Sequence, residues 1–429
     1  MEQEARQSKK SRGDAYSGLS ALALRLAQQL AGGAGDGDGV GENLVFSPLS
    51  VYAALAMVAA GARGATLSEV LALLGVASRD ELAEFSRGVA ERALADRSGS
   101  GGPLVAFACA VWHDKTVALK PAYRAAAVES YKADTRAADF KNKAEEAREE
   151  INNWVSKSTN DLIASILPPG SVHSKSSLVL ANAVYFKGRW SEPFAKEHTE
   201  DRPFYRLDGS HVRTPFMSSR KDQFVKQYDG FKVLKLPYQM QHPSSSKNHG
   251  RQWHIDGRQG SDECEDSDQR SQFSMCIILP DTHDGLPGLI GTMATSPSFL
   301  WDHLPNRRVE VGDFRVPRFK LCFSGEINDV LKAMGLQAAF SVGEADLSDM
   351  LEGSLPVVVE QVFHKAVIEV NEEGTEAAAS AALTLRFCCA RFSKPVDFVA
   401  DHPFAFFVVE EVSGVVVFMG HVLDPARSI

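Results

Sequence analysis

The sequence predicts an α+β fold. Helix-period patterns crowd the first 165 residues, strand-like apolar runs crowd the rest, and the two do not alternate as regular βαβ units would. The chain has 429 residues, of which 44% are hydrophobic, 24% charged and 9% aromatic. That composition belongs to an ordinary globular protein and excludes a collagen-like, fibrous or wholly disordered chain.

Residues 1–14 (MEQEARQSKKSRGD) are polar throughout and read as a disordered tail without the apolar core of a signal peptide. Leu19, Leu22, Leu26 and Leu30 then repeat at helical spacing and mark an amphipathic helix. Residues 32–41 (GGAGDGDGVG) form a connector. Its glycines fail the GxGxxG spacing, no strand precedes it, and Asp36 and Asp38 are too few for a calcium loop. In ATLSEVLALLG (65–75), Thr66 and Glu69 have capping-box spacing and Gly75 suits a helix stop. A further helix is expected over 144–165.

The second half reads differently. Leu178 to Phe186 is a continuous apolar run, as expected for a strand covered on both faces. Phe273–Leu279, Val357–Phe363, Ala366–Val370 and Phe404–Val409 also read as strands. Between two such runs, residues 241–270 are polar and of low complexity, as expected for a disordered surface insertion. His242, His249, His254 and Cys264 lie there, but their spacing matches no usual zinc pattern, and no metal is expected.

The net charge of −9 argues against nonspecific nucleic-acid binding. Six cysteines are too sparse for a disulfide scaffold, and Cys109, Cys276 and Cys322 sit in apolar runs as small buried hydrophobes. The apolar run from Val51 to Ala62 is too short to span a bilayer. The expected location is cytoplasmic or nucleocytoplasmic, with extracellular release left open. The mixed-charge segment 79–102 carries no basic stripe of the kind that binds glycosaminoglycans. HExxH, GxSxG, Walker-type and paired CxxC motifs are all missing, which argues against an enzyme.

The informative stretch runs from Asn371 to Phe398 and joins two strand-like runs. Connections above roughly 20 residues in a compact chain are unusual and often functional. Its first half is nearly all small residues and has no proline before Pro395. That composition suits a loop that must at times become a central strand, because proline deletes a ladder hydrogen bond. Thr375, Ala377, Ala379, Ala381, Leu383 and Leu385 would share one uncharged face of such a strand. A short Ala-rich helix fits the same residues equally well.

NLVFSPLSVYAALAMVAAGARGATLSEVLALLG (43–75), VLANAVYFKGRW (179–190), FHKAVIEVNEEGTEAA (363–378), DFVADHPFAFFVV (397–409) and VVVFMGHVLDP (415–425) decide between these readings. Together they resemble the serpin family, and within it the plant group, from about residue 15 to 429. The resemblance implies one domain over 15–429, with three β-sheets, about nine helices and an exposed reactive-centre loop over 372–397. It implies an irreversible suicide-substrate inhibitor that needs no cofactor or metal and works as a monomer. A serine or cysteine protease would be trapped as an acyl-enzyme while the cleaved loop enters the central sheet. A non-inhibitory serpin with a storage or chaperone-like role is the alternative.

By the same resemblance, Glu372, Glu373, Gly374, Thr375, Glu376, Ala377, Ala378 and Ala379 form the hinge of an inhibitory-type loop. Ser47, Ser50, Asn182 and His364 match the polar cluster beneath the central sheet, and Trp190 the tryptophan at its top. Counting the usual loop length from Gly374 puts the reactive bond at Cys388–Cys389. Leu385-Arg386 resembles the plant Leu-Arg pair two positions earlier, so Arg386 stays open, as do Phe387 and Arg391. Arg386 would suit trypsin-like or basic-specific cysteine proteases, whereas Cys388 would suit chymotrypsin-, elastase- or papain-like ones. Adjacent thiols at Cys388 and Cys389 also invite oxidation.

Overall fold

The structure, a computed structural model, describes residues 2–32, 42–239, 272–353, 357–374 and 395–427, with side chains from Ser17 onward. In chain order the elements begin with α1 (Glu2–Ala31), β1 (Leu44–Phe46), α2 (Pro48–Gly61), α3 (Gly64–Leu74) and α4 (Arg79–Ala93). Next come β2 (Leu104–Asp114), α5 (Pro121–Tyr131), β3 (Asp134–Ala138), α6 (Phe140–Ser158) and β4 (Leu178–Lys187). Four strands follow: β5 (Glu200–Tyr205), β6 (His211–Ser218), β7 (Phe224–Gln227) and β8 (Phe231–Pro237). After them come β9 (Phe273–Pro280), α7 (Leu286–Ala294), α8 (Phe299–Asp302), β10 (Val311–Pro317), β11 (Phe319–Glu326) and α9 (Asn328–Ala333). The last strands are β12 (Gln361–Val370), β13 (Val396–Val399), β14 (Phe404–Glu410) and β15 (Val415–Val422).

Among the described residues the strands form three sheets, ordered β1-β15-β14-β9-β8-β7, β13-β10-β6-β5 and β11-β12-β4-β2-β3. The five-stranded sheet separates two apolar layers. Leu180, Val184, Val362, Ala366 and Ile368 face the main core with α2. Val179, Ala181, Ala183, Phe363 and Val367 face a second core with Phe140, Ala147, Ile151 and Val155 of α6. Side chains alternate across a strand, so a strand covered on both faces is apolar on both. That accounts for the run in β4, buried from Leu178 to Phe186 and interrupted only by the amide of Asn182.

Local chemistry sets the helix ends. Ser47 caps α2 by accepting the Ser50 N–H, and Pro48 follows at the first helical position. Gly75 ends α3 in the left-handed region at φ 68°, where glycine carries no Cβ strain. Leu19, Leu22 and Leu26 of α1 are buried, and Leu30 packs partly against the same core.

Several expectations need correction. The helical backbone of α1 reaches back to Glu2, through the stretch expected as a disordered tail; Glu, Ala, Arg, Gln and Lys there all favour helix. Thr66 and Glu69 make no capping box. The Thr66 hydroxyl accepts the Asp346 N–H (3.0 Å), and the Glu69 carboxylate accepts from Gln337 and Ala338 (both 2.8 Å). The helix expected over 144–165 starts at Phe140 and stops at Ser158, because Asn160 and Asp161 take positive φ. The runs 357–363 and 366–370 are one strand, β12, that begins at Gln361. Cys109 and Cys276 are buried, but Cys322 is half-buried. Residues 241–270, with the four candidate ligands, lie outside the described residues.

Candidate functional site: the seam of the five-stranded sheet

β12 and β4 lie side by side and run parallel, from Gln361 opposite Val179 to Ile368 opposite Phe186. This seam has a consequence for anything that follows β12 in the chain. A segment that turns back at the end of β12 runs antiparallel to β12, and therefore antiparallel to β4 as well. If the seam opened, that segment would find two antiparallel partners.

His364 of β12 faces Asn182 of β4 in register across the seam. Both are buried. Ser47 donates its main-chain N–H to His364 Nε2 (3.0 Å). Nε2 is therefore the acceptor nitrogen, and Nδ1–H donates to Asn182 Oδ1 (2.6 Å). The Asn182 amide in turn donates to the Ser50 carbonyl. The chain of bonds is satisfied at each ring nitrogen and ties β12, β4 and the start of α2 together. Burial pushes the His364 imidazole down to about 3, which keeps the ring neutral. The four residues predicted as a cluster thus meet. Ser47 and Ser50 reach His364 and Asn182 through main-chain atoms, and the Ser50 hydroxyl has no hydrogen-bond partner among the described residues.

At the upper end of the seam the chain leaves β12 through Asn371–Gly374. Asn371 and Gly374 form an isolated antiparallel bridge, which begins a reversal of direction. Gly374 has φ 96°, a conformation that side-chain-bearing residues rarely adopt. A Cβ there would collide with the backbone of Gly188, Arg189 and Trp190. Trp190 donates its main-chain N–H to the Glu373 carbonyl (3.0 Å) and its Nε1–H to the Asn371 carbonyl (2.8 Å). Its indole stacks on Tyr238 at 4.5 Å between ring centroids. The top of the seam is therefore closed by backbone hydrogen bonds and an aromatic pair.

Sequence reasoning missed the groups that hold the carboxylates of Glu372 and Glu373. Glu372 is buried, accepts from the Thr199 hydroxyl (2.9 Å) and pairs with Arg318 (3.3 Å). Glu373 pairs with Lys196 (2.5 Å). No local pattern marks Lys196, Thr199, Arg318 or Tyr238, since each reaches the end of β12 from a distant part of the chain. Thr375, Glu376, Ala377, Ala378, Ala379, Arg386, Phe387, Cys388, Cys389 and Arg391 lie outside the described residues.

The family described as "Serpin (serine protease inhibitor)" matches residues 17–425. The chain belongs to the serpin family. Serpin-Z2A of rice (Oryza sativa subsp. japonica) is 57% identical over 429 residues, with 96% of this chain and 97% of that protein covered. Serpin-Z1C of wheat (Triticum aestivum) is 44% identical over 409 residues, with 95% of each covered. The solved structure of Arabidopsis AtSerpin1, in its native stressed conformation, is 38% identical and superposes with a TM-score of 0.83, covering 96% of this chain and 99% of that one. The fold is therefore the serpin fold, with the plant members among its relatives. Serpins are in general protease inhibitors rather than catalysts, so a target protease is the partner class that membership implies. Among the described residues no helix is long and apolar enough to cross a membrane.

Proposed function

We propose that this serpin is an irreversible suicide-substrate inhibitor of serine or cysteine proteases. The observation that carries the proposal is the geometry at the end of β12. The parallel β12–β4 seam ends where Gly374, at positive φ and already bridged back to Asn371, lies against Gly188–Trp190. A loop cleaved downstream would continue that reversal into the seam and gain an antiparallel ladder on each side. About 15 residues extended at roughly 3.3 Å each span about 50 Å, which would carry an acyl-linked protease the length of the sheet. The uncharged face beginning at Thr375 would enter the core, where an unpaired charge is costly.

The cleaved bond we assign is Cys388–Cys389, with Arg386–Phe387 as the competing register. Intact-mass analysis after separate incubation with trypsin, chymotrypsin, elastase and papain tests both points. The expected result is an SDS-resistant complex together with a released C-terminal peptide that begins at Cys389. A peptide that begins at Phe387 would move the bond to Arg386 and point to basic-specific proteases. Cleavage by every protease with no trapped complex would overturn the inhibitor proposal in favour of a storage or chaperone-like serpin.

A further inference from the structure

Away from the seam, one ligand atom from each of His283, Asp401 and His402 lies within 4.8 Å of the others. His283 follows β9 in an exposed turn, and Asp401 and His402 join β13 to β14. His402 is buried, and its Nε2 lies 2.8 Å from the Pro280 carbonyl oxygen. A carbonyl oxygen only accepts, so Nε2 carries the hydrogen. Nδ1 then presents a lone pair, and Asp401 Oδ1 stands 2.9 Å from it. An ionised carboxylate has no hydrogen to offer either. Two acceptors held at that distance are reconciled by a cation between them, either a proton or a metal ion.

Three features favour a metal. A ring N–H given to a backbone carbonyl is the usual support that orients a metal-binding imidazole and leaves its other nitrogen to the ion. A second imidazole, His283, lies against the first with ring centroids 4.7 Å apart. Asp401 is partly open to solvent, which gives an ion a way in. Arg315, within electrostatic reach of Asp401, is turned onto Asp313 at 2.9 Å.

We propose that His283, Asp401 and His402 bind one divalent cation of the zinc class, with a fourth position left for water. Two imidazoles and a carboxylate suit a borderline ion such as Zn2+, whereas Mg2+ and Ca2+ prefer oxygen donors. An ion lies in the plane of each imidazole that binds it, so the exposed His283 ring must turn out of its stack. The bound ion would tie the turn after β9 to the connection just beyond β13, the strand into which the reactive loop runs. It would brace the loop's C-terminal anchor and leave the hinge untouched.

The test is a ZnCl2 titration of the full chain, read as bound zinc by equilibrium dialysis and as Tm, for wild type, His283→Ala and Asp401→Asn. Other histidines and cysteines in the chain also take zinc, so the difference between proteins is the readout. Wild type should bind one ion more than His283→Ala and gain several degrees in Tm. His283→Ala should keep the metal-free Tm, both variants should lose that ion and its Tm gain, and MgCl2 should shift none of the three. Equal zinc stoichiometry in wild type and His283→Ala, or a zinc-dependent Tm gain that survives the substitution, overturns the site.

Discussion

His364 Nδ1 lies 2.6 Å from Asn182 Oδ1, directly across the parallel seam of β12 and β4. The same ring accepts the Ser47 N–H at Nε2, so the bond that ties β12 to the start of α2 exists only while His364 is neutral. Burial lowers the ring from 6.5 to about 3. Between those values the unfolded chain binds a proton that the native ring refuses. The stability is thus fully present above about pH 6.5 and is lost as pH falls toward 3, by up to about 1.4 kcal/mol per pH unit. His421, lowered to about 4 by burial, acts in the same direction. Melts between about pH 7.5 and 4.5 should therefore show a shallower acid loss in His364→Gln than in wild type. Identical slopes would show that this ring does not set the acid limit.

Asn182 is the partner on the other strand. Asn182→Ala strips the buried His364 N–H of its acceptor and the Ser50 carbonyl of its side-chain donor. Leaving the His364 N–H unsatisfied costs about 1–3 kcal/mol. The expected outcome is a lower Tm and faster hydrogen exchange at the amides that β4 and β12 share. An unchanged exchange rate there would mean that the polar cluster does not hold the seam.

The two hinge carboxylates should respond differently to salt. The Lys196 side chain is 67% exposed, so solvent screens its pair with Glu373, which fades at high ionic strength. Glu372 is buried and takes a hydrogen bond from Thr199 as well as the Arg318 charge. Glu372→Gln should destabilise more than Lys196→Ala, by about 1.5–3 kcal/mol, and its effect should persist at high salt. Thermal melts at two salt concentrations decide this, and equal, salt-sensitive losses would contradict it.

Gly374→Ala forces a Cβ into the backbone of Gly188–Trp190 and imposes a side chain at φ 96°. The left-handed conformation alone costs about 1–2 kcal/mol, and the clash must also part the top of the seam. The variant should melt earlier and form the SDS-resistant complex less efficiently, with more loop cleaved per protease trapped. Wild-type behaviour in both assays would show that the hinge tolerates a side chain there.

How far the sequence carried depended on where each cause lay. The strand Leu178–Lys187 was legible because burial on two faces makes it apolar from Leu178 to Phe186 save at Asn182. β12 looked like two strands because His364 and Lys365 interrupt its apolar pattern. The structure shows why they fit: His364 enters the buried cluster, while Lys365 reaches the Ser165 carbonyl at 2.7 Å. β2 (Leu104–Asp114) is a strand of the same sheet that lies inside the stretch read as mostly helical. The Thr66–Glu69 pattern misled because both side chains are spent on a segment far along the chain. The family blocks pointed to the residues that meet as the His364–Asn182 cluster, whereas Lys196, Thr199, Arg318 and Tyr238 needed the fold itself.

The central claim is that the chain beyond Gly374 enters the β12–β4 seam once the loop is cut. Its most direct test is the thermal unfolding of loop-cleaved protein beside intact protein, in wild type and in Thr375→Arg. Insertion adds a strand with a ladder on each side, so cleaved wild type should melt tens of degrees above the intact form. Thr375→Arg, which brings a charge to the first position due to enter, should lose most of that gain. A cleaved wild type that melts with the intact protein would contradict the account, because the seam would then have stayed shut.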